Sequence, residues 1–375
     1  MGAPAPELLD ENLEEVLFRL QPDEPADLVR AALVWKRWRH VITDPGFRRK
    51  FRQFHRTPPL LGFLGNFFND SYETVVRFVP TTSFCLPRAD ADHCRMKAVD
   101  SRHGRVLLST IGDKDIVLVV WDPVTDEHRT LPLLQLNPPS RSWNAAVLCA
   151  AHGACDHLDC HRGPFLVSFV ASSDGETFIR TYSSENGVWS ELATVQQRHH
   201  VQFKPSPLVG NSLYFSSQKS ATVLEYNLVS REITEIQLPP ECSFPTQVLL
   251  MATEDGRLGF TGLNKFTLCL WSREVGQDGG ARWTQSRHID LNSLLPVDCF
   301  FTFLEAVGFA DGLNTIFISA FPTIFAVDLK SCQVKKMSER RVFHYIVPFI
   351  SFYTPALGPG EVSSGEVLEA GGSSA

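Results

Sequence analysis

From Val76 to Val334 the chain keeps returning to one pattern. A strand ends in an aromatic or aliphatic residue followed by a polar one, a polar turn comes next, and the strand after it often closes in Leu-Pro. The clearest copies are V-V-W-D-P-V-T-D-E-H-R-T-L-P at Val119–Pro132 and L-E-Y-N-L-V-S-R-E-I-T-E-I-Q-L-P at Leu224–Pro239. Weaker ones lie at Ile179–Leu192, at Cys269–Ser272 with the A-R-W-T that follows, at Phe325–Val334 and at Val76–Thr81. Aligned on Phe78, Trp121, Tyr182, Tyr226, Trp271 and Val327, the copies stand 43, 61, 44, 45 and 56 residues apart. A repeat of that length built from short strands predicts a β-propeller, because one unit cannot bury both its faces alone and must stack against neighbours. Six anchors predict six blades, within a range of roughly five to eight; a pair of β-sandwiches is the alternative. The runs between anchors are short, bounded by Gly, Pro, Asn, Asp and Ser, and show no helical crossovers, which excludes a parallel α/β fold.

With 375 residues, 43% of them hydrophobic and 21% charged, the chain can fill such a core and carry a second, smaller unit. Net charge is -7, and the basic residues gather between Lys36 and Arg56, so general affinity for nucleic acid is not expected. No apolar run approaches the roughly 20 residues that cross a bilayer, and the first residues lack the basic and apolar regions of a signal peptide. Nine cysteines, odd in number and scattered, suit reduced thiols in cytoplasm, nucleus or both.

The smaller unit stands first. Leu9, Leu13, Val16, Leu17 and Leu20 form the stripe of an amphipathic helix, with Glu11, Asn12, Glu14 and Glu15 between them. Pro22 ends it, and Pro25 suits the first turn of the next helix. Leu28, Ala31, Ala32, Val34, Trp35, Trp38, Val41 and Ile42 make a second apolar run. Asp44-Pro45 reads as a cap and first position of a third helix bearing Phe47, Phe51 and Phe54. The arginines and lysine interleaved with these phenylalanines read as that helix's solvated face. About 45 residues are marginal for a self-sufficient core, so part of this apolar surface is expected to meet a partner.

The runs L-x-x-x-L-x-x-V-L-x-x-L, D-L-V-R-A-A-L-V-W-K-R-W-R and D-P-x-F resemble an F-box, the motif that binds the Skp adaptor of Skp–cullin–F-box ubiquitin ligases. The H-R-T-P-P-L-L-G-F that follows is similar to plant, grass-type F-box proteins, whose C-terminal F-box-associated domains are kelch-like propellers. By that resemblance Trp189 and Trp283 sit where such blades place a tryptophan in the outer strand, although the glycine pairs of a true kelch repeat are missing. Leu9 replaces the family's usual Pro, and Trp35 its usual Cys. The resemblance implies an α plus all-β multidomain chain: a flexible start at 1–7, a three-helix F-box domain at 8–56 and an F-box-associated propeller at 57–355, while the Gly, Ser and Glu that dominate 356–375 predict a disordered tail. It assigns adaptor contact to Leu8, Leu9, Leu13, Val16, Leu17, Leu20, Leu33, Val34 and Trp38. The partners it implies are a Skp-family adaptor, through it cullin and RING subunits, and a target protein whose binding residues the sequence does not reveal; neither nucleic acid nor membrane is implied.

One loop remains. C-A-A-H-G-A-C-D-H-L-D-C-H-R-G holds Cys149, His152, Cys155, His157, Cys160 and His161, the only dense set of metal-ligand residue types. Its C-x4-C and H-x4-H spacings match no recognised finger, so it reads as a polar hairpin between the first two strands of the third unit, with zinc the lesser alternative. No cofactor is expected. Neither a G-x-S-x-G elbow, an H-E-x-x-H helix, a P-loop nor a dinucleotide fingerprint is present, so no catalytic residue is assigned. The expected function is the non-catalytic substrate receptor of a Skp–cullin–F-box ligase. Alternatives are an F-box interaction protein that does not drive degradation, and a propeller enzyme with a helical docking head.

Overall fold

The structure, a computed structural model, describes residues 10–68, 71, 73–86, 93–110, 116–134, 142–151, 155–173, 175–196, 200–217, 221–241, 248–276, 280–296, 303–339 and 345–353. Leu8, Leu9, His152 and the expected tail at 356–375 lie outside the described residues.

The six expected blades are present. Blade one begins with Leu60–Phe68 (β1), Thr74–Pro80 (β2) and His93–Cys94 (β3). Blade two is Met96–Arg102 (β4), Arg105–Thr110 (β5), Leu118–Asp122 (β6) and Glu127–Thr130 (β7). Blade three is Ser142–Cys149 (β8), Phe165–Ser173 (β9), Glu176–Ser183 (β10) and Val188–Trp189 (β11), with Ala193–Val195 (β12) also paired to β10. Blade four is Leu208–Val209 (β13), Ser212–Ser216 (β14), Thr222–Asn227 (β15) and Ile233–Gln237 (β16). Blade five is Leu249–Ala252 (β17), Leu258–Asn264 (β18), Thr267–Val275 (β19) and Ala281–Asp290 (β20), and blade six is Leu304–Ala310 (β21), Thr315–Ala320 (β22), Thr323–Asp328 (β23) and Val334–Ser338 (β24). The last strand, Val347–Ile350 (β25), returns to blade one and pairs with β1 in the register Gly62↔Phe349, Phe63↔Pro348 and Leu64↔Val347. Blade one is thus built from strands that precede and follow the other five blades in sequence, and the ring is closed by backbone hydrogen bonds.

Alternate residues of a strand face opposite sides, and here both sides are covered by a neighbouring blade. Val106 and Leu108 pack towards blade one, while Leu107 packs towards blade three. Val119 and Val120 divide in the same way. Six buried clusters therefore run around the ring, each shared by two adjacent blades. This explains continuous apolar runs such as L-V-V-W where a sheet with one wet face would alternate. Burial falls outward: all five residues of β6 are buried, and all four of β7 are exposed.

The repeat signature now has a physical cause. All six anchors lie on the third strand of their blades. After three of them, Asp122, Asn227 and Asp328 each accept the backbone amides two and three residues ahead, at 2.6–3.3 Å. Each turn then closes through a residue in the left-handed region: Asp126, Arg231 or Cys332. The next blade holds the chain at the Leu-Pro ending. Trp189 on β11 donates its indole N–H to Pro132 O at 2.9 Å, and Trp283 on β20 donates to Gln237 O at 2.7 Å. Each outer-strand tryptophan thus latches the close of the preceding blade.

Four helices form the head: Asp10–Phe18 (α1), Pro25–Val34 (α2), Lys36–Thr43 (α3) and Pro45–His55 (α4). Three were expected. The second apolar run breaks at Trp35, whose backbone is extended (φ -149, ψ 137). A straight helix over the whole run would be about 28 Å long. It would carry Val41 and Ile42 past the core that Leu28 fills, whereas the break returns them to it. Asp44 caps α4 as expected, accepting from Phe47 N at 2.9 Å with Pro45 in the first turn. A further single helical turn, Leu291–Leu294 (α5), follows β20. No described helix is long and apolar enough to cross a membrane.

Replacing Trp283 by Phe is expected to keep the edge-on packing against Phe260 while removing the latch, costing about 1 kcal/mol. Equilibrium urea unfolding of both proteins measures it; equal midpoints would show that the latch contributes nothing.

Candidate functional site

The head packs its core around Leu13, Leu17, Leu28, Ala31, Ala32, Val41, Ile42, Phe47 and Phe51. Leu13 and Leu17 are therefore internal, at 2% and 0% exposure, and Leu20 and Trp38 pack partly against the same core. Of the residues expected to contact an adaptor, the structure leaves Val16, Leu33 and Val34 on the surface, Leu33 and Val34 at 72% and 75% exposure. Trp35, next to Val34, is exposed too, as is Phe54 on α4. These five make up five of the twelve large exposed hydrophobics among the described residues, a high density for so small a unit. The break at Trp35 is what turns the end of α2 outward.

Part of the head's surplus apolar surface is met by the propeller itself. Phe352, just beyond β25, is buried in the head core, and Leu158 of the Cys/His loop packs against it. Charges continue the seam. Arg52 on α4 is 5% exposed and pairs with Asp159, so the basic stripe of α4 is not wholly solvated as its interleaving suggested. His161 turns Nδ1 to Asp122 at 2.9 Å and Nε2 to Asp159 at 3.2 Å. Burial opposes ionisation of Asp122, but His161 and the amides of Val124 and Thr125 outweigh it and hold the carboxyl below its usual range. The β4–β5 turn completes the seat. A Cβ on Gly104 (φ 77) would stand 3.0 Å from His161 Cβ and 3.2 Å from Ser351 Oγ, so this tight turn needs glycine. Head, loop, hairpin and closing strand surround a cavity of about 310 Å³ lined by Arg52, Arg102, His103, Asp159, His161 and Ser206, among others. Arg102 spans it, donating to Asp100 and to Ser206 O.

Next to this cavity the Cys/His loop folds into a cluster. Cys149 ends β8 and is buried, and Cys155, His157 and Cys160 bring their side chains back to it, with all four candidate ligand atoms within 4.8 Å of one another. His161 is not part of this group; it belongs to the seam with Asp122 and Asp159. The imidazole of His157 stacks on that of His103, centroids 4.0 Å apart. Burial, then the facing His157, Arg102 and Arg105, bring His103 down to about 3, so it stays neutral. Burial and the adjacent thiols of Cys149 and Cys155 push Cys160 up to about 12. Sequence alone assigns no role at this site to Arg52, Asp122, Arg105 or Phe352. Asp122 carries the repeat signal W-D, and Arg52 sits beside Phe51 on the buried stripe; Phe352 carries no local signal at all.

Deeper in the propeller, Lys204 is buried with its ammonium 2.9 Å from Val248 O and 5.2 Å from the centre of the Tyr345 ring. Burial lowers its pKa to about 8, against the pull of the Glu305 carboxylate. The unfolded chain holds this proton up to about 10.5, so the buried charge costs stability below about 8, and the cost is released as pH rises between those values. Relative to Lys204→Met, the wild type is expected to gain up to about 1.4 kcal/mol per pH unit in that window. Urea unfolding of both proteins at a series of pH values checks the slope; a flat difference would refute it.

Residues 97–357, which cover blade two through β25, match the family described as F-box protein AT5G49610-like, beta-propeller. Two proteins of Arabidopsis thaliana are similar over most of the chain. F-box protein At5g07610 is 23% identical over 304 residues, 76% of this chain and 71% of its own length. F-box protein At5g03970 is 22% identical over 288 residues, 69% of this chain and 64% of its own length. Among solved structures, the periplasmic gluconolactonase PpgL of Pseudomonas aeruginosa aligns over 74% of this chain and 82% of its own at 14% identity, with a TM-score of 0.40. A likeness of that size carries no information about chemistry. The family match spans most of the ring and agrees with the helical head that precedes it: this chain belongs to the F-box protein AT5G49610-like β-propeller family.

Proposed function

We propose that this chain is the substrate receptor of a Skp–cullin–F-box ubiquitin ligase, its head docking the Skp adaptor and its propeller holding a target protein. The observation that carries the reading is the head's exposed apolar set, Val16, Leu33, Val34 and Trp35, left over after the head has filled its own core and leaned on Phe352 and Leu158. The names of the two Arabidopsis relatives support it. In such an assembly the receptor acts by raising the target's effective concentration beside a ubiquitin-loaded enzyme, and needs no catalytic group of its own. Cullin and RING subunits would join through the adaptor, in cytoplasm or nucleus.

Topology favours one face for the target. The head enters at the start of β1, on the side where first and second strands are joined, and the Cys/His loop lies on that same side. The opposite side carries the joins between second and third strands and the connections between blades. Leu133, Leu192, Phe303 and Phe321, all at least 45% exposed, fall in those segments. A target bound there would not compete with the adaptor for space.

Leu33→Asp with Val34→Asp is expected to leave the fold intact, since both side chains are exposed, and to weaken adaptor binding by about a hundredfold or more. Leu13→Ala should instead destabilise the head by about 2–4 kcal/mol. Titration of purified full chain with a Skp adaptor, read by calorimetry, separates the two. Undiminished binding by the folded double variant would remove the docking surface from the reading. Phe303→Asp with Phe321→Asp should preserve adaptor binding and lose the proteins that accumulate when the ligase is inhibited; retention of those proteins would reject the assigned face.

A further inference from the structure

We propose that Cys149, Cys155, His157 and Cys160 bind one zinc ion, and that this ion orders the loop on which the head is seated. The site is independent of the ligase reading. Its four ligand atoms lie within 4.8 Å of one another, with His157 Nδ1 3.6 Å from Cys160 Sγ. A tetrahedral zinc with sulfur at about 2.3 Å and nitrogen at about 2.0 Å holds its ligand atoms roughly 3.5–3.8 Å apart. A contraction of about one ångström closes the set. Three sulfurs and one imidazole are a soft donor set of the structural zinc type, unsuited to calcium or magnesium, which take oxygen.

The surroundings are arranged as a second shell. The His157 amide donates to Cys155 Sγ at 3.4 Å, a bond that favours the thiolate. Buried Arg105 donates to the carbonyls of Cys160 and Gly163, fixing the short 3-10 turn Cys160–Arg162, and brings a positive charge to a site whose three thiolates and zinc would sum to one negative charge. The neighbouring carboxylates are engaged elsewhere: Asp156 accepts from Leu158 N at 3.1 Å, and Asp159 pairs with Arg52 and His161. His157 has φ 57, a left-handed backbone that costs a non-glycine residue energy and swings its ring back to the sulfurs.

The ligand spacing C-x5-C-x-H-x2-C matches no recognised finger: the first ligand comes from the end of β8 and the others from the returning loop. Binding would exchange up to three thiol protons for one Zn2+, with nothing oxidised or reduced. The same loop sends Leu158 into the head core and Asp159 to Arg52. One ion would therefore hold both contacts in place.

The test is metal analysis of the purified full chain kept under a reductant. Zinc equimolar with protein is expected, and after chelation, added Co2+ should give the intense visible bands and sulfur-to-cobalt charge transfer of a tetrahedral thiolate site. Cys155→Ser with Cys160→Ser should lose both, while Cys269→Ser, at a Cys–His pair outside the cluster, should keep both. Hydrogen exchange in α4 should rise on chelation. Folded wild type with neither zinc nor cobalt–thiolate bands overturns the proposal, as does zinc retained by the double variant or a Cys155–Cys160 disulfide under the same conditions. If the double variant does not fold, the wild-type cobalt spectrum decides alone.

Discussion

Everything in this molecule depends on the pairing of β25 with β1. A propeller blade has two faces, and both need cover; a ring of six has no uncovered face only if the last blade meets the first. Here that meeting is made by lending the final strand to blade one, so the closing contact is a run of backbone hydrogen bonds as well as a packed surface. The side chains at the seam are among the most buried in the chain: Phe63 and Phe349 are both at 0% exposure. Asn66, also fully buried, adds a clasp, accepting from Ala98 N at 2.8 Å and donating to Ala98 O at 3.2 Å across to blade two. The same closure delivers Phe352 beneath the head. Ring and head are thus not two modules on a string; they share the end of the chain.

Local signals told most about the ring. The anchors Trp121, Tyr226 and Val327 were legible because each is followed by a residue that caps a turn, and a cap leaves a mark in sequence: Asp122, Asn227, Asp328. Trp189 and Trp283 were legible through the resemblance to kelch-like blades. What could not be read were contacts between distant parts without a period. Nothing near Phe352 marks it as part of a helical core some 300 residues away. Arg52 is one arginine among several, and only the third dimension gives it Asp159. The break at Trp35 has no glycine or proline to announce it; it follows from the size of the core that two helices must share.

The Cys/His loop shows the same limit at a candidate site. As a string, its C-x4-C and H-x4-H spacings match no recognised finger. In space, the end of β8 supplies one thiol and the returning chain supplies the rest. Six ligand-type residues also separate into two groups with different partners: His161 leaves for a carboxylate pair on the seam, while His157 turns inward. Residue type suggested the chemistry, and the fold chose the members.

The borrowed strand also bears on the order in which the protein can be made. The head emerges before the ring during synthesis, yet one wall of its core, Phe352, follows all six blades in the sequence. Until the ring shuts, helices α1–α4 have apolar surface without its intramolecular cover. A chain cut short anywhere in blade six would present a head with a missing wall on an open ring, and both defects expose hydrophobic groups of the kind that quality control recognises. Placing a strand that follows blade six in the first blade therefore makes a finished head a sign that all six blades have been translated.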